Sequence, residues 1–201
     1  MNSHKLYVAS NNANKLSEFA HFFESYNLEI NLVPSPISLK SVEDGLTLEE
    51  NAFKKALHLY NAGFYPVFSD DTGLFLPYLD GIPGVRSSRF AGENASYEEN
   101  RKKLINTVKD LPFEHRFAYF KTVICYINSS GAIKFFVGYA HGYILTEERG
   151  DNNFGYDPVF LYPPFGKTFG ELPLYIKNRI SHRAKALSKF AEFLRNEGLS
   201  L

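Results

Sequence analysis

Apolar and polar positions change period along the chain, and the changes mark out its elements. Leu6-Tyr7-Val8-Ala9 reads as a short buried strand, followed by the polar run Ser10-Asn11-Asn12-Ala13-Asn14. Leu16, Phe19, Phe22 and Phe23 then recur at helical spacing, so strand, loop and helix are expected in that order. Leu28 to Val33 predicts a second strand, stopped by Pro34 and Pro36. Thr47 with Glu50 is a capping-box signature, and Ala52, Leu57 and Leu59 carry a helix to Gly63. Pro66-Val67-Phe68 is a short strand running into Ser69-Asp70-Asp71-Thr72-Gly73.

Glycines and a proline between Asp80 and Gly92 predict a structured loop, and Ser96 with Glu99 opens a capped helix that ends near Asp110. Aromatic and β-branched residues dominate from Arg116 to Leu145 around an Asn128-Ser129-Ser130-Gly131 turn, the pattern of a long antiparallel hairpin. Val159 to Tyr162 is a further strand. Ser181 caps a last helix with Leu187, Phe190, Ala191 and Leu194 on one face, closed by Gly198. Early alternation of strand and helix followed by a β-rich block predicts an α/β fold: a mixed sheet flanked by helices, split into two lobes with a cleft between them.

Composition narrows the function classes. At 201 residues the chain suits one domain, residues 1–201, and 44% hydrophobic with 22% charged residues excludes a disordered protein. Lys and Arg (22) balance Asp and Glu (22), so no global positive field exists to hold a nucleic acid or a membrane surface. Any phosphate recognition is therefore local. The single cysteine, Cys125, excludes internal disulfides and multi-cysteine metal sites and points to the reducing cytoplasm. No apolar run approaches the roughly 20 residues of a membrane span, and the N-terminal segment enters a strand without a signal-peptide core.

Five segments carry candidate chemistry, and each also has a plain structural explanation. Ser10-Asn11-Asn12-Ala13-Asn14-Lys15, between strand and helix, offers backbone N–H groups, a positive helix end and a lysine to an anion; alternatively it is an Asn-rich turn with Asn14 as the cap. Asp70-Asp71-Thr72-Gly73 at a strand end suits a hard cation such as Mg²⁺, one Asp ligating and the other supporting it or acting as a base; alternatively it is a type I turn. Glu43 and Asp44 precede the first-turn acids Glu49 and Glu50, and Glu43 is the freer to be a metal ligand. Lys54 and Lys55 are within reach of an anionic ligand or are ordinary surface lysines. Phe154-Gly155-Tyr156-Asp157-Pro158 presents rings for a purine and an acceptor for its protons, or is a tight turn with core aromatics. Lys177 and Ile180-Ser181-His182-Arg183 place basic residues where a helix start favours acids, so they call for an anion or carbonyl partner, or form a solvated patch. No Ser-His-Asp order is readable, and Cys125 lies in an apolar strand pattern.

Taken in order, these segments resemble the inosine triphosphate pyrophosphatase family, the Ham1-like and RdgB-like nucleotide hydrolases. The resemblance runs through Ser10-x-Asn12-x-x-Lys15-x-x-Glu18-Phe19, Gly45-x-Thr47-x-x-Glu50-Asn51-Ala52 with Lys55, and Asp70-Asp71-Thr72-Gly73-Leu74. It continues through Gly81-x-Pro83-Gly84-Val85, Ser87-x-Arg89-Phe90-Ala91-Gly92, Phe154 to Pro158, and Ile180-Ser181-His182-Arg183-x-x-Ala186-Leu187. It implies Mg²⁺-dependent hydrolysis of ITP, dITP and XTP to the monophosphate and pyrophosphate, by an elongated two-lobed homodimer. Carried over by position, Ser10 to Lys15 and Lys55 hold phosphates, Glu43 and Asp71 resemble the metal and catalytic acids, and Asp70 and Thr72 complete that loop. Phe154 stacks on the base, while Gly155, Tyr156, Asp157, Lys177, His182 and Arg183 surround base and sugar. Thr72 stands for a usual Ser, Asn153 for a frequent Gly, and Arg86 for a common aromatic. Two other classes compete on residue pattern: a haloacid-dehalogenase-like phosphatase, whose two aspartates are separated by one residue, and a non-enzymatic nucleotide- or RNA-binding module.

Overall fold

A computed structural model of the chain describes residues 4–39 and 44–197. Glu43 and Gly198 lie outside the described residues. The chain runs β1 (His4–Val8), α1 (Ala13–Ser25), β2 (Ile30–Pro34), α2 (Leu48–Asn61), β3 (Val67–Phe75), β4 (Pro83–Gly84) and α3 (Tyr97–Val108). It continues through β5 (Phe117–Ile127), β6 (Ile133–Ile144), β7 (Phe160–Tyr162), β8 (Lys167–Thr168), α4 (Leu174–Ile180) and α5 (His182–Asn196). The strands form one mixed sheet in the order β2-β1-β3-β5-β6-β7-β8, with β4 on β3. β1 pairs in parallel with β2 and β3, whereas β6–β7 and β7–β8 are antiparallel. The α/β class with a mixed sheet and flanking helices is thus the observed one.

Two compact units divide the chain, the first comprising residues 1–71, 122–138 and 183–201 and the second residues 72–121 and 139–182. In the first, Leu6 and Val8 of β1, Phe68 of β3 and Ile124 of β5 meet Phe19, Phe22 and Phe23 of α1 and Leu187 and Phe190 of α5. Phe19 meets Phe68 edge-on at 5.2 Å, a geometry that places positive ring edge on negative ring face. In the second, Leu104 and Val108 of α3 pack with Phe120 of β5, Ile144 of β6, and Phe160 and Phe169. Each unit has its own apolar core.

Local chemistry explains several boundaries. The α1 cap is Asn12, not Asn14: its side chain accepts from Asn14 N at 3.0 Å and Lys15 N at 3.2 Å, two amides with no helical partner. At α2, Thr47 accepts from Glu50 N, but the Glu50 carboxylate takes Leu46 N, so the reciprocal box is shifted by one residue. At α3 both halves of the Ser96–Glu99 box are present.

β3 corrects the expectation of a short strand with the aspartates at its end, and with it the turn alternative. It runs nine residues, straight through Asp70-Asp71. Asp disfavours strands, yet ion pairs from neighbouring elements compensate both carboxylates, and tertiary contacts override propensity. Beyond them, a Cβ at Gly73 would lie 2.6 Å from Gly84 O, so only glycine admits the β4 backbone there. The seven-residue α4 carries no sequence signal. Its Leu174 and Tyr175 are exposed, and Pro173 precedes it without a side-chain cap.

Candidate active site

Successive strand residues face opposite ways, so Asp70 and Asp71 are met by different partners. Asp70 is fully buried; Oδ1 accepts from Lys15 Nζ at 2.9 Å and Oδ2 from Arg183 Nε at 3.3 Å. Burial opposes its charge, but Lys15 and Arg183 outweigh that and hold the carboxyl well below the usual carboxylate range. Arg183 also donates to Glu18. Burial disfavours the guanidinium as well, and the charges of Glu18 and Asp70 raise its pKa against that. An acid held ionised by two cations is a poor proton acceptor. It is well placed to fix Lys15 at the first turn of α1, beside the exposed Asn11, Ala13 and Asn14 and the buried Ser10. Ser10 Oγ accepts from Asn12 N at 3.2 Å, which shapes the turn.

Asp71 is addressed by one face of α2. Lys55 Nζ lies 3.1 Å from Oδ1 and Asn51 Nδ2 lies 3.2 Å from Oδ2, two residues spaced i, i+4 and both buried. Asn51 in turn accepts from Gly45 N at 2.7 Å. A Cβ at Gly45 would sit 2.5 Å from that same amide oxygen, so the approach requires glycine. Asn51 carries no distinctive chemistry of its own; its place in the Gly45 to Ala52 motif and its helical spacing from Lys55 are the signals for it. Lys54, by contrast, pairs with Asp44 and Glu50 at the surface.

The mutual repulsion that argued for a cation between the two aspartates is therefore met by Lys15, Arg183 and Lys55. Among the described residues no group of three His, Cys, Asp or Glu gathers for a metal. What fits a hard ion is Asp71, whose side chain is 13% exposed. Mg²⁺ is commonly held by one or two carboxylates with substrate phosphates completing its shell.

In the second unit, Thr72 follows on β3 and is half-buried. The turn before β7 holds a second constellation. Asp157 is buried and accepts from Lys177 and, at 3.0 Å, from Asn152 Nδ2. Lys177 Nζ also stands 4.9 Å from the centre of the Phe154 ring, a cation–π distance. Of the two rings offered by this segment, Phe154 is half-buried, whereas Tyr156 lies in the core with its hydroxyl donating to Ser87 O at 2.7 Å. Burial pushes the Tyr156 phenol up, keeping it neutral. Gly155 has φ +55°, which favours glycine at the tip of the turn.

His182 and Arg183 do not form one basic patch. His182 stacks on Phe120 in the second unit, with ring centroids 4.4 Å apart, while Arg183 is buried with Glu18 and Asp70 in the first. The anion that a basic helix start called for is supplied to Arg183 by the chain's own carboxylates. Cys125 is buried, as its strand pattern indicated.

A profile of the Ham1 family matches residues 6–193. The chain belongs to the Ham1 family. It is 46% identical over 200 residues to a dITP/XTP pyrophosphatase of Caldanaerobacter subterraneus subsp. tengcongensis, covering 94% of this chain and 96% of that protein. A dITP/XTP pyrophosphatase of Geobacter sulfurreducens is 41% identical, with 97% and 98% covered. Among solved structures, the Staphylococcus aureus Ham1 protein superposes with a TM-score of 0.84 at 34% identity, covering 96% of this chain and 99% of that one. A HAM1 protein from Coxiella burnetii matches with the same TM-score at 36% identity and the same coverage.

Proposed function

We propose that this Ham1 family chain is a nucleoside triphosphate pyrophosphatase that hydrolyses the deaminated purine nucleotides ITP, dITP and XTP to monophosphate and pyrophosphate. The observation that carries this reading is the pair of lysine–aspartate contacts along β3, Lys15–Asp70 and Lys55–Asp71. An ammonium in the first turn of α1 and a second on α2, each held by an aspartate of β3, suit a polyphosphate chain. In a chain of zero formal net charge, these two ammonium groups give a phosphate local partners in exchange with the aspartates.

Lys15 and the first turn of α1 bind phosphate oxygens, and Asp70 holds the Lys15 ammonium in place. Lys55 offsets charge on the departing pyrophosphate, in competition with its contact to Asp71. Asp71, with Glu43, would hold Mg²⁺; when bound, the ion polarises phosphoryl oxygens and eases deprotonation of water. Asp71 also orients the water that attacks the α-phosphorus. Phe154 stacks on the purine, Asp157 accepts protons from base or sugar, and Lys177 supplies the donor beside the ring. Arg183 meets Asp70 and Glu18 through Nε and Nη1. An oxygen at purine position 6 accepts from such a donor; the amino group of adenine cannot, and a buried donor left unpaired costs about 1–3 kcal/mol. A homodimer in the reducing cytoplasm completes the proposal, supported by the family resemblance and by the single buried thiol.

Incubating the protein with ITP, XTP, GTP and ATP plus Mg²⁺ and resolving the products tests the reading. ITP and XTP should yield monophosphate and pyrophosphate, with ATP turned over at least roughly tenfold more slowly, the equivalent of about 1.4 kcal/mol. Orthophosphate as the first product would instead indicate a phosphatase.

A further inference from the structure

Arg101 is a buried cation of the second unit that lies outside every motif read from the sequence. It sits on α3 with its side chain 5% exposed and its Nε 3.0 Å from Glu148 Oε2. Its Nη1 donates to Asn153 O at 3.3 Å and to Gly155 O at 3.0 Å, the carbonyls of the residues flanking Phe154. One helical turn earlier on the same face, Tyr97 meets the Phe154 ring edge-on, with centroids 5.4 Å apart and planes at 71°. The neighbouring Asn100 does the same work on another loop, accepting from Ala91 N at 2.7 Å and donating to Ser88 O at 3.0 Å.

Residues 151–156 form neither helix nor strand, so few ladder bonds hold them in place. A ring on such a segment loses part of its stacking gain to the ordering of the segment when a base arrives. A buried guanidinium is expensive to desolvate, and its charge-assisted bonds to the two carbonyls flanking Phe154 hold the backbone that carries the ring, while Tyr97 meets the ring itself. We infer that Arg101 is a positioning residue for purine binding: from beneath the turn it presents Phe154 to the base in one preset orientation. The inference rests on the reading of Phe154 as the base platform, and Arg101 itself touches no substrate.

The test is a double-mutant cycle on the full chain with ITP as substrate. Arg101→Met should raise KM about tenfold, the scale of one charge-assisted hydrogen-bond pair, with kcat within about twofold of wild type. Arg101→Lys should fall between, because an ammonium is a point donor without the guanidinium fork. Phe154→Leu should raise KM by itself, and Arg101→Met should then add less than about twofold. Hydrogen exchange at residues 152–157 should quicken in Arg101→Met while the α3 amides keep their protection. If Phe154→Leu raises KM but Arg101→Met does not, or adds its full effect in the double variant, the role given to Arg101 is wrong. If Phe154→Leu leaves KM unchanged, the platform reading itself falls, and this inference with it. Should the Met variant fail to fold, Arg101→Lys decides: wild-type KM with unchanged exchange at 152–157 overturns the inference.

Discussion

Asp70→Asn removes one charge from a buried set in which Lys15, Arg183 and Glu18 are its neighbours. Breaking a buried ion pair from one side costs roughly 3–5 kcal/mol, since the partner stays buried without compensation. Arg183 keeps Glu18, and Lys15, with its side chain 17% exposed, can turn to water, so the loss should fall near the lower end, about 3 kcal/mol. For a chain of this length, each kcal/mol shifts Tm by roughly 2–4 °C, which gives a fall of about 6–12 °C by calorimetry. Urea unfolding should show a lower midpoint with an unchanged m-value. The pH dependence has a definite sign. The folded carboxyl has a depressed pKa, so its contribution is complete above the unfolded value near 3.9 and declines as pH falls below that. The difference between wild type and Asp70→Asn should therefore be flat from about pH 5 to 8 and shrink below about pH 4. Asp44→Asn, at an exposed carboxylate, is the control and should leave Tm nearly unchanged. An Asp70→Asn protein as stable as wild type, or a difference that persists undiminished at pH 3, would refute the reasoning.

Asp71→Asn should lower turnover of ITP by at least about a hundredfold at saturating Mg²⁺, and near-normal rates in a steady-state assay would remove Asp71 from the reaction. Burial raises the Cys125 thiol to about 12, so the native protein should resist an aromatic disulfide reagent at pH 8 and react fully in urea. Thr47→Ala, which removes the acceptor for Glu50 N at the start of α2, should cost about 1 kcal/mol by urea unfolding.

What could be read from the sequence was what is repeated or local. Periodic phenylalanines placed α1, the Asn128 turn placed the β5–β6 hairpin, and Ser96 with Glu99 placed the α3 cap, because each signal lies within a few residues. The full length of β3 is not legible along the chain, because what allows it to continue through Asp70-Asp71 comes from Lys15, Lys55 and Arg183, up to 113 positions away. The separation of His182 from Arg183 was hidden for the same reason, since the attraction of Glu18 and Asp70 acts only after folding. Asn51 and Arg101 carry no distinctive chemistry along the chain. Their meaning lies in which turn or carboxylate their helices place before them.

The central claim is that water attacks the α-phosphorus of an oxo-purine triphosphate and expels pyrophosphate. Hydrolysis of ITP in oxygen-18 water, followed by mass spectrometry of both products, tests it most directly. The account predicts one heavy oxygen in inosine monophosphate and none in pyrophosphate. Label in pyrophosphate, or in released orthophosphate, would contradict it.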